Sequence, residues 1–222
     1  MIKAVIFDMY ETLITLFESP LYFGTQMAID AGISEEEFQS LWEPTEDDRT
    51  VGKKTLEEIL EFILKEKQCY SEELFSRIVE KRKISKKECF KHIHPEIFPM
   101  LKELKKKGIY IGLISNCFSE EVEAIKNSEL FPYFDATYLS FEQGLKKPEK
   151  EIFIRFMDKL SMSPDECIYV GDGGSLKLET ASQIGMKALQ AVWYLKEGTT
   201  QPVGRKKEFI QVETPLEILK YI

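Results

Sequence analysis

Hydrophobic positions fall along this chain in two textures. The first is a set of short, nearly unbroken apolar runs: AVIF (4–7), IYIGLI (109–114), TYLS (137–140), CIYV (167–170) and ALQAVW (188–193). Runs of this length without polar alternation suit strands of a parallel sheet that is covered on both faces. Stretches with helical spacing separate them: MLKELKKK, SEEVEAIKNSEL, PEKEIFIRFMDKL and SLKLETASQIG. The first of these has Pro99 near its start, Gly108 just past its end, and lysines in its last turn that oppose the negative end of the helix dipole. TPLEILKYI closes the sequence, with Thr214 as a candidate N-cap. Alternation of this kind predicts a doubly wound α/β core with a mainly parallel sheet, of the Rossmann type.

The second texture fills residues 15–94 and contains no strand pattern. GISEEEF carries a capping box from Ser34 to Glu37, and TLEEILEFIL sets Leu56, Ile59, Leu60 and Ile63 along one helical face. SEELFSRIVEKRK repeats the pattern with Leu74, Phe75, Ile78 and Val79. The spacing predicts an all-helical unit inserted after the first strand, with the core formed by residues 1–14 and 95–222. HIHPEIFP, with its two prolines, reads as the hinge between them.

Composition narrows the function classes. The chain has 222 residues, 43% of them hydrophobic, and a formal net charge of -8 at pH 7. That balance gives no general attraction for polyanions, so nucleic acid is not an expected partner. Cys69, Cys89, Cys117 and Cys167 form no CxxC pair, which points away from a zinc knuckle or a disulfide framework and toward a reducing compartment. His92 and His94 lack a clustered third ligand. The opening MIKAVIF is already a strand, and no apolar run is long enough to span a bilayer, so a soluble, cytoplasmic protein is expected, with no membrane partner.

In open α/β sheets the ligand crevice lies beyond the carboxyl ends of the strands. The residues leaving those ends here form a single set. The first strand yields Asp8, Tyr10 and Thr12, and the second yields Ser115 and Asn116. Lys147 follows the third, and the fourth runs into Asp172. A nucleophile, anion donors, a cation and a second acid therefore come from four separated segments.

The order and spacing of FDMYETL, ISN, the Lys-Pro of KKPEKEIF, and VGDGG resemble the haloacid dehalogenase-like hydrolase superfamily over essentially the whole chain. The helical insert stands where one branch of that family carries its cap. The resemblance implies an aspartyl nucleophile, Asp8, and usually a Mg²⁺-dependent phosphatase of a small phosphorylated metabolite. It also implies a magnesium site made by the Asp8 carboxylate, the backbone carbonyl of Tyr10, and Asp172. The residues suit these roles: a carboxylate splits one hard displacement into two easier ones, and Lys147 can neutralise developing charge. Thr12, Ser115 and Asn116 can hold the oxygens of a small anionic substrate, and Arg49 of EPTEDDRTVG is the insert's candidate for the substrate's far end.

Three positions depart from the family pattern. Its phosphatases usually carry an acid catalyst two residues after the nucleophile, where this chain has Tyr10, as haloacid dehalogenases do. Glu11, where the family usually has glycine, is a candidate replacement. Phe153 and Asp172, in contrast, match the phosphatase branch better than the dehalogenase branch. The second acid of the fourth motif is replaced by Lys177, with Glu179 two residues further on, and an ammonium turned inward there predicts weak magnesium affinity. The alternative is that helix periodicity counted from Ser175 turns Lys177 to solvent, the commoner place for a lysine. The alternatives are a metal-free dehalogenase-like enzyme using Asp8 on carbon, and a catalytically weakened metabolite- or partner-binding protein.

Overall fold

The computed structural model describes residues 1–195 and 203–222. Six strands, β1 (Ala4–Phe7), β2 (Tyr110–Ser115), β3 (Ala136–Leu139), β4 (Cys167–Gly171), β5 (Lys187–Ala191) and β6 (Ile210–Val212), make one sheet in the order β3-β2-β1-β4-β5-β6. Every pairing is parallel. The chain is wound outward from the middle, so β1 lies between β2 and β4, and the strand order reverses beside it. That reversal opens a crevice at the carboxyl end of β1, directly where Asp8 leaves the sheet.

Alternation along the strands supplies two buried layers. Val5 and Phe7 join Ile111 and Leu113 under the helix Ile97–Lys106. Ala4, Ile6 and Ile114 face the other way, against Phe153 and Phe156 of the helix Lys150–Leu160. Gly112 is needed for the second layer, because a Cβ there would lie 2.2 Å from the Phe156 ring.

The apolar runs and the observed strands agree to within one or two residues, with two differences. The run 188–193 stops being strand at Ala191, and the side chain of Trp193 turns back to donate its indole N–H to the Thr12 carbonyl oxygen at 2.9 Å. β6 was not expected: three residues are too short for a periodic signal. At the chain's end, Pro215–Tyr221 forms a 3₁₀ helix, and the Thr214 side chain does not cap it.

Among the described residues, every regular element between β1 and β2 is helical. Leu56, Leu60 and Ile63 of the helix Leu56–Glu66 pack with Met27, Phe38 and Ile78 in a cluster separate from the two sheet layers. Ser34 caps its helix by accepting from the Glu37 amide at 3.3 Å, but Glu37 takes the Ser34 hydroxyl rather than the backbone amide, so the capping box is half made. The full box belongs to Thr55 and Glu58.

The joint between the helical segment and the sheet is ionic and buried. Helix Glu72–Glu88 presents Arg82 and Lys86 to Glu120 and Glu121, in the first turn of helix Ser119–Lys126. Arg82 Nε lies 2.9 Å from Glu120, and Lys86 Nζ 2.5 Å from Glu121. The side chains of Arg82 and Glu120 are 3% and 1% exposed, so each charge depends on its partner for solvation. No helix among the described residues is long and apolar enough to cross a membrane.

Candidate active site

Asp8 follows the last residue of β1 and is 4% exposed. Its Oδ1 accepts from the Met9 amide at 2.8 Å and from Lys147 Nζ at 2.6 Å, while its Oδ2 accepts from Lys177 Nζ. Burial alone would raise the Asp8 pKa, but Lys147 and Lys177 hold the carboxyl below its ordinary value. The two ammoniums thus favour its ionised form.

Lys147 comes from the segment between the short helix Ser140–Gln143 and the helix Lys150–Leu160 and reaches Asp8 through the protein interior. Its backbone is clamped by Asn116: Lys147 N donates to Asn116 Oδ1 at 2.8 Å, and Asn116 Nδ2 donates to the Lys147 carbonyl oxygen at 2.9 Å. The ammonium also donates to the Ile114 carbonyl oxygen at 2.8 Å and to the Tyr169 hydroxyl at 3.2 Å. Burial, reinforced by Lys177, pulls the Lys147 pKa down to about 8 despite the opposing attraction of Asp8.

Asp172 leaves the end of β4, and its amide donates to Thr12 Oγ1 at 3.1 Å. The Thr12 hydroxyl thus ties the first motif to the fourth. Ser115, fully buried, donates to the neighbouring Asn116 carbonyl oxygen at 3.3 Å. Neither hydroxyl stands open to the cleft as a substrate donor; both hold the rim in shape.

A hollow of about 400 Å³ opens over this cluster, lined by Asp8, Tyr10, Glu11, Asn116, Lys147, Asp172 and Lys177 among others. It shares Tyr10, Asn116, Lys147 and Ser175 with an outer cleft of about 620 Å³ that reaches Thr50, Phe118 and Glu121. The Tyr10 hydroxyl is buried and has no hydrogen-bond partner among the described residues. Burial and then Glu121 push its pKa well above the ordinary value, so it remains a neutral phenol. Glu11, with φ at 56°, turns its carboxylate onto the Thr15 hydroxyl at 2.7 Å and the Leu16 amide at 2.8 Å. It lines the hollow, and burial raises its pKa.

Arg49 is placed differently from the other candidates. Its guanidinium lies 3.6 Å from the Trp42 ring centroid and 4.6 Å from that of Phe118, donating to Thr45 Oγ1 at 2.9 Å. It lines a neighbouring hollow of about 300 Å³ that shares Phe118 and Glu121 with the outer cleft, and not the hollow over Asp8. The two acids beside it in sequence pair elsewhere, Asp47 with Lys146 and Asp48 with Lys53. Cys117 is buried, and burial followed by Glu121 brings its thiol up to about 12, which leaves it unreactive.

Lys177 is the residue whose placement periodicity got wrong. Ser175 and Leu176 have φ of 52° and 51°, so the helix begins only at Lys177 and the count from Ser175 does not apply. Lys177 is 6% exposed and its Nζ bonds both Asp8 Oδ2 and Asp172 Oδ1. Burial opposes its charge, but Asp8 and Asp172 overcome that and raise its pKa. Its hydrocarbon stem crosses Gly171, where a Cβ would stand 3.2 Å from Lys177 Cδ. The Lys-five-after-Asp spacing was the signal in the sequence; the side chain's direction was not.

The chain belongs to the haloacid dehalogenase-like hydrolase family, whose model matches residues 2–185. It is 24% identical over 134 residues to a glyceraldehyde 3-phosphate phosphatase of Methanopyrus kandleri, an alignment covering 58% of this chain and 56% of that protein. It is 28% identical over 123 residues to the N-acylneuraminate-9-phosphatase of Mus musculus, covering 55% and 49%. The matched stretches thus span about half the length of these curated relatives. Among solved structures, a HAD family enzyme of Bacteroides thetaiotaomicron in complex with magnesium and inorganic phosphate superimposes with a TM-score of 0.63 at 19% identity, over 91% of this chain and 98% of that one. The L-2-haloacid dehalogenase of Xanthobacter autotrophicus gives 0.62 at 17% identity, over 99% and 98%. At these identities the structural likeness establishes the fold.

Magnesium bound by a family member does not transfer directly to this rim. An ion here would be shared by Asp8 and Asp172, and the Lys177 nitrogen already lies between those two carboxylates. An ammonium about 4 Å from a cation repels it by roughly 4 kcal/mol per unit of metal charge at an effective dielectric of 20. No group of three His, Cys, Asp or Glu side chains able to hold a metal occurs among the described residues. As arranged, the donors do not fit a magnesium ion.

Proposed function

We propose that this chain is a phosphohydrolase acting on a small phosphorylated metabolite through a covalent aspartyl-phosphate on Asp8. The observation that carries the reading is the Asp8 carboxylate, 2.6 Å from Lys147 and facing a hollow lined by both. One Asp8 oxygen bonds to phosphorus while the bond to the leaving oxygen breaks and its electron pair departs with that oxygen. Water then attacks phosphorus as its bond to Asp8 breaks; the water's protons leave on the phosphate and the Asp8 carboxylate is restored. Lys147 and Lys177 face the charge that builds on the phosphoryl oxygens. The helical segment 15–94 acts as the cap over the core of 1–14 and 95–222, and the outer cleft between Thr50, Phe118 and Lys147 receives the rest of the substrate.

The leaving group is the restriction. Tyr10 holds its proton too tightly to serve as an efficient acid, so substrates whose leaving oxygen needs no proton are favoured: acyl phosphates, enol phosphates and aryl phosphates over alkyl esters. The test is phosphate release from a panel spanning these classes, in chelator, with Asp8→Asn as control. Release by wild type and none by Asp8→Asn supports the proposal; equal release by both rejects it.

A second reading is carbon–halogen hydrolysis, because a halide leaves without a proton and Lys177 neutralises Asp172 opposite a haloacid's carboxylate. A single turnover in H₂¹⁸O separates the two. Breakdown of an aspartyl-phosphate at phosphorus leaves the label in phosphate, whereas hydrolysis of an alkyl ester at the Asp8 carbonyl leaves it in Asp8. Absence of both phosphate and halide release, with the cleft still binding anions, is the outcome expected of a protein that only binds.

A further inference from the structure

The fold goes to some length to bury Lys177, which stands where the family pattern has a second acid. Two consecutive non-glycine residues, Ser175 and Leu176, adopt left-handed backbone conformations that L side chains rarely take. The turn throws Leu176 outward, 59% exposed, and sends Lys177 inward past Gly171 to the two carboxylates. Glu179, the nearest acid on the same helix, is engaged by Lys206 and is not among the residues lining the hollow over Asp8.

We infer that Lys177 is a built-in cation standing in the place of a divalent metal, so that this site is organised without magnesium. Three observations carry it. The nitrogen bonds one oxygen of each carboxylate that a shared ion would need. The ammonium is hidden from water, unlike a surface lysine that folds over a passing acid. The charges close without an ion: Asp8 and Asp172 are matched by Lys147 and Lys177, and a dication added to them would leave the cluster strongly positive. A point charge fixed by a protein stem also needs no loading, and it offers hydrogen-bond donors where an ion would offer open coordination positions. The inference concerns how the site is organised and stands whether the substrate carries phosphorus or halogen.

The test reads metal binding rather than turnover, so its failure is distinct from failure of the phosphohydrolase reading. Wild-type protein, Lys177→Asp and Lys177→Gln are titrated with Mg²⁺ by calorimetry, with circular dichroism to check folding. Wild type should show no binding heat at millimolar Mg²⁺. Lys177→Asp, which replaces the ammonium by a third carboxylate, should bind at least roughly 100-fold more tightly. If Lys177→Asp does not fold, Lys177→Gln takes its place, since it removes the charge and keeps most of the stem; Mg²⁺ binding by that variant alone supports the inference. Wild type binding Mg²⁺ within tenfold of the variant would overturn it, because the lysine would then be displaced at will. A folded variant that binds no better than wild type would overturn it equally.

Discussion

Replacing Arg82 by Met tests whether the helical segment is held to the sheet by paired buried charge. Arg82 Nε sits 2.9 Å from Glu120, and its Nη1 donates to the Tyr22 carbonyl oxygen at 2.5 Å. Methionine fills similar volume but leaves Glu120 buried without its ion-pair partner. Removing one partner of a buried pair costs about 3–5 kcal/mol, and for a chain of this length each kcal/mol lowers Tm by roughly 2–4 °C, so a fall of roughly 6–20 °C follows. Replacing both partners with apolar residues, Arg82→Met with Glu120→Leu, should recover most of that loss.

The pH dependence has a definite sign. Burial works to raise the Glu120 pKa, but Arg82 and Lys86 hold the folded value below the ordinary glutamate value. The unfolded chain therefore takes up the proton first on acidification. Wild-type stability from this group is fully present above the ordinary glutamate pKa and is lost as pH falls through the folded value. Urea denaturation of wild type, Arg82→Met, Glu120→Leu and the double variant at neutral and acid pH checks both statements. A single-variant loss below about 1 kcal/mol, or a double variant no better than the single, would refute the coupling.

Other outcomes follow from the same geometry. Tyr10→Asp supplies the missing acid and should raise turnover of alkyl phosphates by on the order of 10²-fold, while changing acyl phosphates little; equal gains on both would contradict the leaving-group argument. Activity should decline as pH rises through about 8, where Lys147 loses its proton and no longer neutralises Asp8 and the arriving anion; a profile still flat well above that value would show that Lys147 is not the titrating group. Asn116→Ala frees the Lys147 backbone from its two hydrogen bonds. It should lower kcat by roughly tenfold with the fold retained, measured beside a thermal melt to exclude a mere loss of stability.

What the sequence made legible follows the range of its signals. Strand runs such as AVIF and CIYV are buried on both faces, so apolar continuity alone exposes them, and residues at their ends share one rim because parallel strands bring like ends together. Asp8 and Asp172 stand at such ends, and Lys147, further along the chain from β3, reaches the Asp8 carboxylate. The use made of Thr12 and Ser115 was not legible, since a hydroxyl serves backbone and substrate equally well and only the fold decides. Lys177 was noticed by spacing and misdirected by periodicity, because two residues of left-handed backbone break the helical count. Arg82 and Lys86 carry no signal of their own in the sequence; their burial depends on Glu120 and Glu121, which stand more than thirty positions away, and periodicity carries no information over that distance.

In the proposed reaction Asp8 is the attacking group. The most direct test is borohydride reduction of enzyme quenched during turnover of an acyl or aryl phosphate, followed by peptide mass spectrometry. A covalent acyl intermediate is reduced to the alcohol, so homoserine should replace aspartate at position 8 only when substrate is present. An unmodified Asp8 peptide from enzyme that is visibly turning over, or the modification at another carboxylate, would contradict the mechanism.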